Sequence, residues 1–168
     1  MNIAIRRAEP SDAEAIKEIL SGPIAIAGTM QLPFPSVESW RKKIEETPEG
    51  VYHLVASVDD EVVGHLGLGT RPDSPRRRHV GSIGMAVRDD WQGKGIGTAL
   101  LEAAIDMADN WLNLLRLELD VFVDNEPALR LYKNFGFVIE GTRVRYAYYR
   151  DGRYVDTHLM ARLRQPCG

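Results

Sequence analysis

The stretch Gln92-Gly93-Lys94-Gly95-Ile96-Gly97 constrains this chain more than any other. It sets three glycines at alternate positions between a strand-like run and a long amphipathic segment. Glycine there leaves backbone N–H groups uncovered and permits positive-φ turns that aim several of them at one spot. The helix that follows adds its own unpaired donors and the positive end of its dipole, which suits a phosphate or pyrophosphate. Two commoner phosphate loops fail on spacing. No glycine stands at the Walker distance from a Gly-Lys-Ser/Thr, and a G-x-G-x-x-G fingerprint would need glycine where Thr98 or Leu100 stands. A tight loop whose glycines serve turn geometry alone is the competing reading, and the loop by itself leaves both open.

The flanks narrow the choice. Val80 to Val87 reads as a strand, with Ile83, Met85 and Val87 alternating against Ser82, Gly84 and Ala86. The small face would let another chain or a ligand approach the backbone closely. Downstream, Ile96, Ala99, Leu100, Ala103, Ala104, Met107 and Trp111 keep the rhythm of a buried helix face. Arg116 to Val123 alternates again, with Leu117, Leu119 and Val121 on one side. Strand, loop, helix and strand make a βαβ unit whose ligand belongs at the carboxyl ends of the strands.

A second constellation begins at Asn125, a good N-cap, followed by Pro127 in the first helical turn and Gly136 past the end. Ala128, Leu131 and Phe135 are expected to form the buried stripe of this short helix. Tyr132 lies beside that stripe. A core tyrosine with a local partner is its simplest reading, and a hydroxyl reaching past the sheet is the alternative.

Gln92-x-x-Gly95-x-Gly97 followed by Asn125-x-x-Ala128-x-x-Leu131-Tyr132-x-x-x-Gly136-Phe137 resembles the acyl-CoA-binding core of the GNAT N-acetyltransferases. The resemblance is specific over residues 80–140 and looser over 3–163. Smaller details, such as Asp109-Asn110-Trp111 and Phe122-Val123-Asp124-Asn125, are similar to bacterial members that acetylate amino acids or small amines. It implies a splayed sheet and acetyl-CoA as cosubstrate. The pyrophosphate would lie on the loop opened by Gln92, at the amides of Gly93, Lys94, Gly95, Ile96, Gly97 and Thr98. The pantetheine arm would run beside Met85, Ala86 and Val87, with Asn125 bonding it and Ala128 leaving it room. By the same resemblance the amine attacks directly in a ternary complex, and Tyr132 is the general acid. Its ordinary pKa of about 10 keeps the hydroxyl protonated at neutral pH. A non-catalytic acyl-CoA sensor on the same fold, or a protein N-terminal or lysine acetyltransferase, are the alternatives.

No general base stands out. Glu38, His65, His79 and Asp156 are nominal candidates, each read more simply as a solvated or locally satisfied residue. Glu14 completes an expected capping box with Ser11.

The remaining segments suggest an α+β, three-layer fold: a mixed, mostly antiparallel sheet with helices on both faces. Strands are expected at Ile3 to Arg7, Tyr52 to Val58 and Val62 to Gly69, the last two turning at Asp59-Asp60. A final hairpin pairs Val138 to Tyr149 with Tyr154 to Leu163 around Asp151-Gly152, a type I′ signal. Helices are expected at Ser11 to Leu20 and after Ser36, with a loop over Gly22 to Pro35. Met30, Gln31, Leu32 and Phe34 in that loop are the expected acceptor wall, because apolar loop residues need packing or a ligand to cover them. An apolar wall with few acids favours an amino acid or small apolar amine over a polyamine. Tyr146, Tyr148 and Tyr149 are expected near the acceptor or in a homodimer seam.

At 168 residues, 44% hydrophobic and 27% charged, the chain fits one domain over 1–168. A net charge of −3 argues against a general nucleic-acid binder, and Arg76-Arg77-Arg78-His79 is the one dense basic run. No apolar run is long enough for a membrane span, and Met1 to Arg6 begins a strand rather than a signal peptide. One cysteine, Cys167, allows no internal disulfide, which suggests a reduced, cytoplasmic setting. No metal site is expected.

Overall fold

The computed structural model describes residues 1–149 and 151–165, so the expected tail position of Cys167 lies outside the described residues. In chain order the elements are β1 (Ile3–Arg7), a 3₁₀ turn at Pro10–Asp12, α1 (Ala13–Ser21), α2 (Pro23–Gly28), α3 (Val37–Glu45), β2 (Val51–Val58) and β3 (Glu61–Gly69). After these come β4 (Val80–Val87), α4 (Ile96–Asp106), β5 (Arg116–Phe122), α5 (Glu126–Asn134), β6 (Val138–Tyr148) and β7 (Tyr154–Leu163). The strands form one sheet in the order β1-β2-β3-β4-β5-β7-β6. Every pairing is antiparallel except β4 with β5, the two strands joined through α4.

That parallel pair decides where a site can form. Its ladder holds only from Val80↔Arg116 to Ser82↔Glu118, whereas β4 stays paired to β3 as far as Val87↔Gly64. From Ile83 onward the backbone of β4 is therefore unpaired toward β5, and the sheet splays. Alternate residues of the strands feed two cores. Leu54, Leu66, Leu68, Ile83, Leu119 and Val121 pack under α4 and α5, while Val55, Val62 and Ala86 pack under α1 and α3. Helices thus cover both faces, as expected. Gly64 lets α4 approach closely, since an added Cβ would stand 2.7 Å from Ile96 and 2.9 Å from Leu100.

Turn chemistry explains most element ends. Asp59 and Asp60 both have positive φ, 48° and 67°, as a type I′ turn between β2 and β3 requires. Ser36 Oγ caps α3 by accepting the Ser39 N–H at 3.2 Å.

Five local expectations are corrected. The Ser11–Glu14 capping box is replaced by an earlier device: the Asp12 carboxylate accepts the Glu9 N–H at 2.8 Å and two Arg6 N–H groups at 2.7 and 2.9 Å. Glu14 instead meets Lys17. The Gly22 to Pro35 loop contains α2, whose first turn is capped from far away by Asp89, accepting the Ile24 and Ala25 N–H groups at 3.0 and 3.1 Å. Gly22 admits that carboxylate, because any Cβ there would lie 2.6 Å from it. Trp111 is 79% exposed. A π turn over Met107–Trp111 adds a residue to the helical turn and brings Ala108 inward in its place. On α5 the fully buried positions are Leu129 and Tyr132, with Ala128, Leu131 and Phe135 half-buried beside them. Finally, the β6–β7 connection is longer than a two-residue turn. Tyr149 N–H bonds Arg153 O, and Gly152, at φ 90°, bonds Tyr149 O.

Candidate active site

The splay opens a cleft of about 980 Å³ that passes between β4 and β5. One half is made of backbone. Gly93 and Gly95 adopt φ 73° and 83°, and Gly95 is the N-cap of α4 with no side chain capping it. The first internal bond of the helix is Ala99 N–H to Gly95 O, so the N–H groups of Ile96, Gly97 and Thr98 have no partner within the helix. A Cβ on Gly93 would meet nothing within 4 Å. This uncovered cradle, at the positive end of an 11-residue helix, fits a diphosphate. Gln92, Gly93, Gly95, Ile96, Gly97 and Thr98 all line the cleft. Lys94 does not; its ammonium lies over the Trp91 ring at 4.6 Å.

Met85, Ala86 and Val87 line the same half along the unpaired edge of β4. An extended ligand could add there as a strand would. Asn125 and Ala128 line it from the start of α5, where Asn125 Oδ1 accepts the Ala128 N–H at 3.3 Å. Tyr132 also lines the cleft, its ring packed against Phe137 at 5.7 Å. No protein group among the described residues bonds its hydroxyl, and burial pushes its pKa up to about 12. The hydroxyl is therefore a protonated donor at any physiological pH.

The other half is made of side chains from distant elements. Met30 and Gln31 line it, but Leu32 and Phe34 stand outside, 81% and 95% exposed. Pro33 and Pro35 keep that segment out of a helix, and Phe34 at φ 61° turns outward. Charged or titratable groups not named as site candidates from the sequence also line the cleft: Lys43, His53, Arg71, Glu118, Asp120 and Arg143. Contrary to the expectation of few acids, two carboxylates are present. Each is matched, Glu118 by Arg116 Nε at 2.8 Å and Asp120 by Arg143. Their one sequence signal was two acids on the same face of a central strand, a face that ought to be covered.

Of the nominal bases only His65 lines the cleft. Glu38 pairs with Arg41 on the exposed side of α3, Asp156 accepts the Arg145 N–H at 2.7 Å, and His79 is exposed before β4. His65 is a poor base, since burial, then His53 and Lys43, push its pKa down to about 3. Tyr146 and Tyr148 lie exposed on β6, and Tyr149 reaches Asp124 at 3.2 Å without lining the cleft. No group of three or more potential metal ligands occurs among the described residues.

The family model for the acetyltransferase (GNAT) family matches residues 16–137, from within α1 to just past α5 and including the whole cradle. The chain belongs to that family. It is 45% identical over 162 residues to the L-amino acid N-acetyltransferase AaaT of Escherichia coli, covering 96% of this chain and 98% of the relative. An N-alpha-acetyltransferase of Saccharolobus solfataricus is 37% identical over 67% of this chain and 70% of its own. Among solved structures, a GNAT acetyltransferase from Streptococcus pneumoniae superposes with a TM-score of 0.82 at 28% identity, covering 96% of this chain and 99% of that one. The Salmonella typhimurium acetyltransferase yncA, solved with acetyl-CoA, shares the fold at a TM-score of 0.86 and 22% identity over 100% and 97% of the chains. This GNAT protein is an N-acetyltransferase.

Proposed function

We propose that the protein transfers the acetyl group of acetyl-CoA to the primary amine of an apolar amino acid or a close derivative. The observation that carries this reading is a single cleft joining a bare-backbone cradle suited to a diphosphate to a hollow whose two carboxylates are matched by arginines, with a tyrosine hydroxyl unpartnered among the described residues in its wall. The near full-length similarity to an L-amino acid N-acetyltransferase supports the acceptor class.

The residues that would hold acetyl-CoA are the amides of Gly93 to Thr98, the open edge at Met85 to Val87, and Asn125 with Ala128. Bound there, the coenzyme supplies an activated acetyl thioester. The N–H groups of β4 near Met85 and Ala86 offer hydrogen bonds to its carbonyl oxygen, a type of contact worth about 3 kcal/mol per well-placed donor. Tyr132 holds its proton for the departing sulfur, and the amine attacks directly while both substrates are bound. Because Glu118 and Asp120 are already paired with arginines, a polyamine finds no free carboxylate among the described residues of this half. A zwitterion does not need one.

The whole chain, residues 1–168, serves as one acetyltransferase domain in this reading, active in the cytoplasm. The tyrosine-bearing β6–β7 hairpin is the seam of a homodimer. No helix of the described residues is long and apolar enough to cross a membrane.

A panel of amines assayed by release of free thiol from acetyl-CoA tests the acceptor. The expected result is turnover of apolar L-amino acids or their derivatives above all others. Selective turnover of spermidine, aminoglycosides or peptide N-termini would overturn it.

A further inference from the structure

Away from the phosphate cradle, the acceptor half ends in a hollow floored by glycine. Gly67 and Gly84 are cross-strand partners; a Cβ on Gly84 would meet nothing within 4 Å, and one on Gly67 would meet only His53 Nδ1, at 3.9 Å. The wall of the hollow is a pair of imidazoles, His53 and His65, stacked at 5.3 Å, with Trp40 edge-on to both. Lys43 lines the same wall, its ammonium 4.4 Å from the Trp40 ring centroid. No carboxylate pairs with Lys43 among the described residues. The acids of the cleft, Glu118 and Asp120, stand on β5, on the other side of β4.

The protons of the imidazole pair can be placed. Both rings are held neutral, His65 by burial first and His53 by burial, then Lys43 and Arg7. A neutral imidazole carries one N–H. His53 Nδ1 and His65 Nε2 lie 3.1 Å apart, so one of them donates to the other. If His65 Nε2 donated, the proton of His53 would sit on Nε2, a fully buried atom with no hydrogen-bond partner. That would bury an orphan N–H and aim its dipole at two cations, the costlier arrangement. If His53 Nδ1 donates, Nε2 presents only a lone pair, which Lys43 and Arg7 favour. His65 then carries its proton on Nδ1. Among the described residues that atom has no partner, yet it is not among the fully buried ones, and His65 lines the cleft.

We propose that His65 Nδ1–H and the Lys43 ammonium form the subsite for the carboxylate of the acceptor, with His53 as the positioning residue that fixes the His65 tautomer. A neutral donor beside an unpaired cation is suited to a carboxylate, and the bare Gly67–Gly84 floor gives it room. With both donors on one side of β4 and the arginine-paired acids on the other, the cleft fixes the acid end of a zwitterion. The inference rests on the amino-acid reading above and adds which residues select the acid end.

The test compares an apolar L-amino acid with the amine that lacks its carboxylate, both assayed with acetyl-CoA. In His65→Phe the selectivity ratio for the amino acid over the amine is expected to fall about tenfold, through KM rather than kcat, as for loss of a hydrogen bond to a charged group. His53→Leu, which frees the tautomer, is expected to lower the ratio, and His53→Gln, which can still donate to His65 Nε2, to retain it. In the unsubstituted protein, ¹⁵N NMR of labelled histidine is expected to show His65 protonated on Nδ1 and bare on Nε2. An unchanged ratio in His65→Phe, or a proton on His65 Nε2, overturns the subsite while leaving the amino-acid reading intact. Turnover of amines with none of amino acids overturns both. Should His65→Phe fail to bind acetyl-CoA, the His53 pair and the NMR assignment decide.

Discussion

The two halves of the cleft are built from different materials. The half proposed for the coenzyme is main chain: glycines of positive φ, the uncapped first turn of α4 and the unpaired edge of β4. The half proposed for the acceptor sets side chains from α3, β2, β3, β5 and β6 around a glycine floor, with α2 as its roof. Backbone donors depend on the path of the chain, whereas exposed cleft side chains can change with little effect on the fold. Substitutions should therefore separate by which half they touch.

The largest effect is expected at Tyr132, the proposed general acid. Tyr132→Phe should lower kcat about 10²-fold while acetyl-CoA still binds, read by turnover together with calorimetry. Unaltered turnover would return Tyr132 to the core and leave the cleft without an acid. Next comes Gly95→Ala. It places a Cβ at φ 83°, a conformation costing about 1–2 kcal/mol, in the middle of the cradle. The KM for acetyl-CoA should rise about tenfold by that cost, with the amine KM little changed. A change confined to the amine would show that the halves are wrongly assigned. Asp89→Ala should act the other way. It removes the cap of α2, costing about 1 kcal/mol of stability, and loosens the roof, so the amine KM should rise more than that of acetyl-CoA. The smallest effect is expected from replacing Leu32 and Phe34 together by Ser. Both lie outside the cleft, so kcat/KM for any acceptor should stay within about twofold. A tenfold loss would extend the acceptor half over the 30–35 segment.

The same division explains what could be read without coordinates. The cradle, its strand and helix, and the Asn125–Tyr132 segment are local: each role depends on residues within one turn or one strand. Of the candidates named for the other half, only Met30, Gln31 and His65 line the cleft. Leu32 and Phe34 share their apolar character, yet the prolines beside them carry the chain away. His53 and His65 are 12 positions apart and meet because of the β2–β3 register, in which Val55 opposes His65 and His53 opposes Gly67. Glu118 and Asp120 looked like the solvated side of an alternating strand. They face a cleft because β4 parts from β5 after Ser82. The short helix α2 was hidden because its cap, Asp89, lies 65 positions from Ile24.

Glycine spacing and a helix N-terminus by themselves determined that this chain would present a cluster of uncovered backbone donors, since those donors belong to the backbone wherever the segment is placed. Sheet register and the parting of two strands decided what stands opposite it. A side chain acquires its neighbours, its protonation and its exposure only once the distant strands and helices around it are packed.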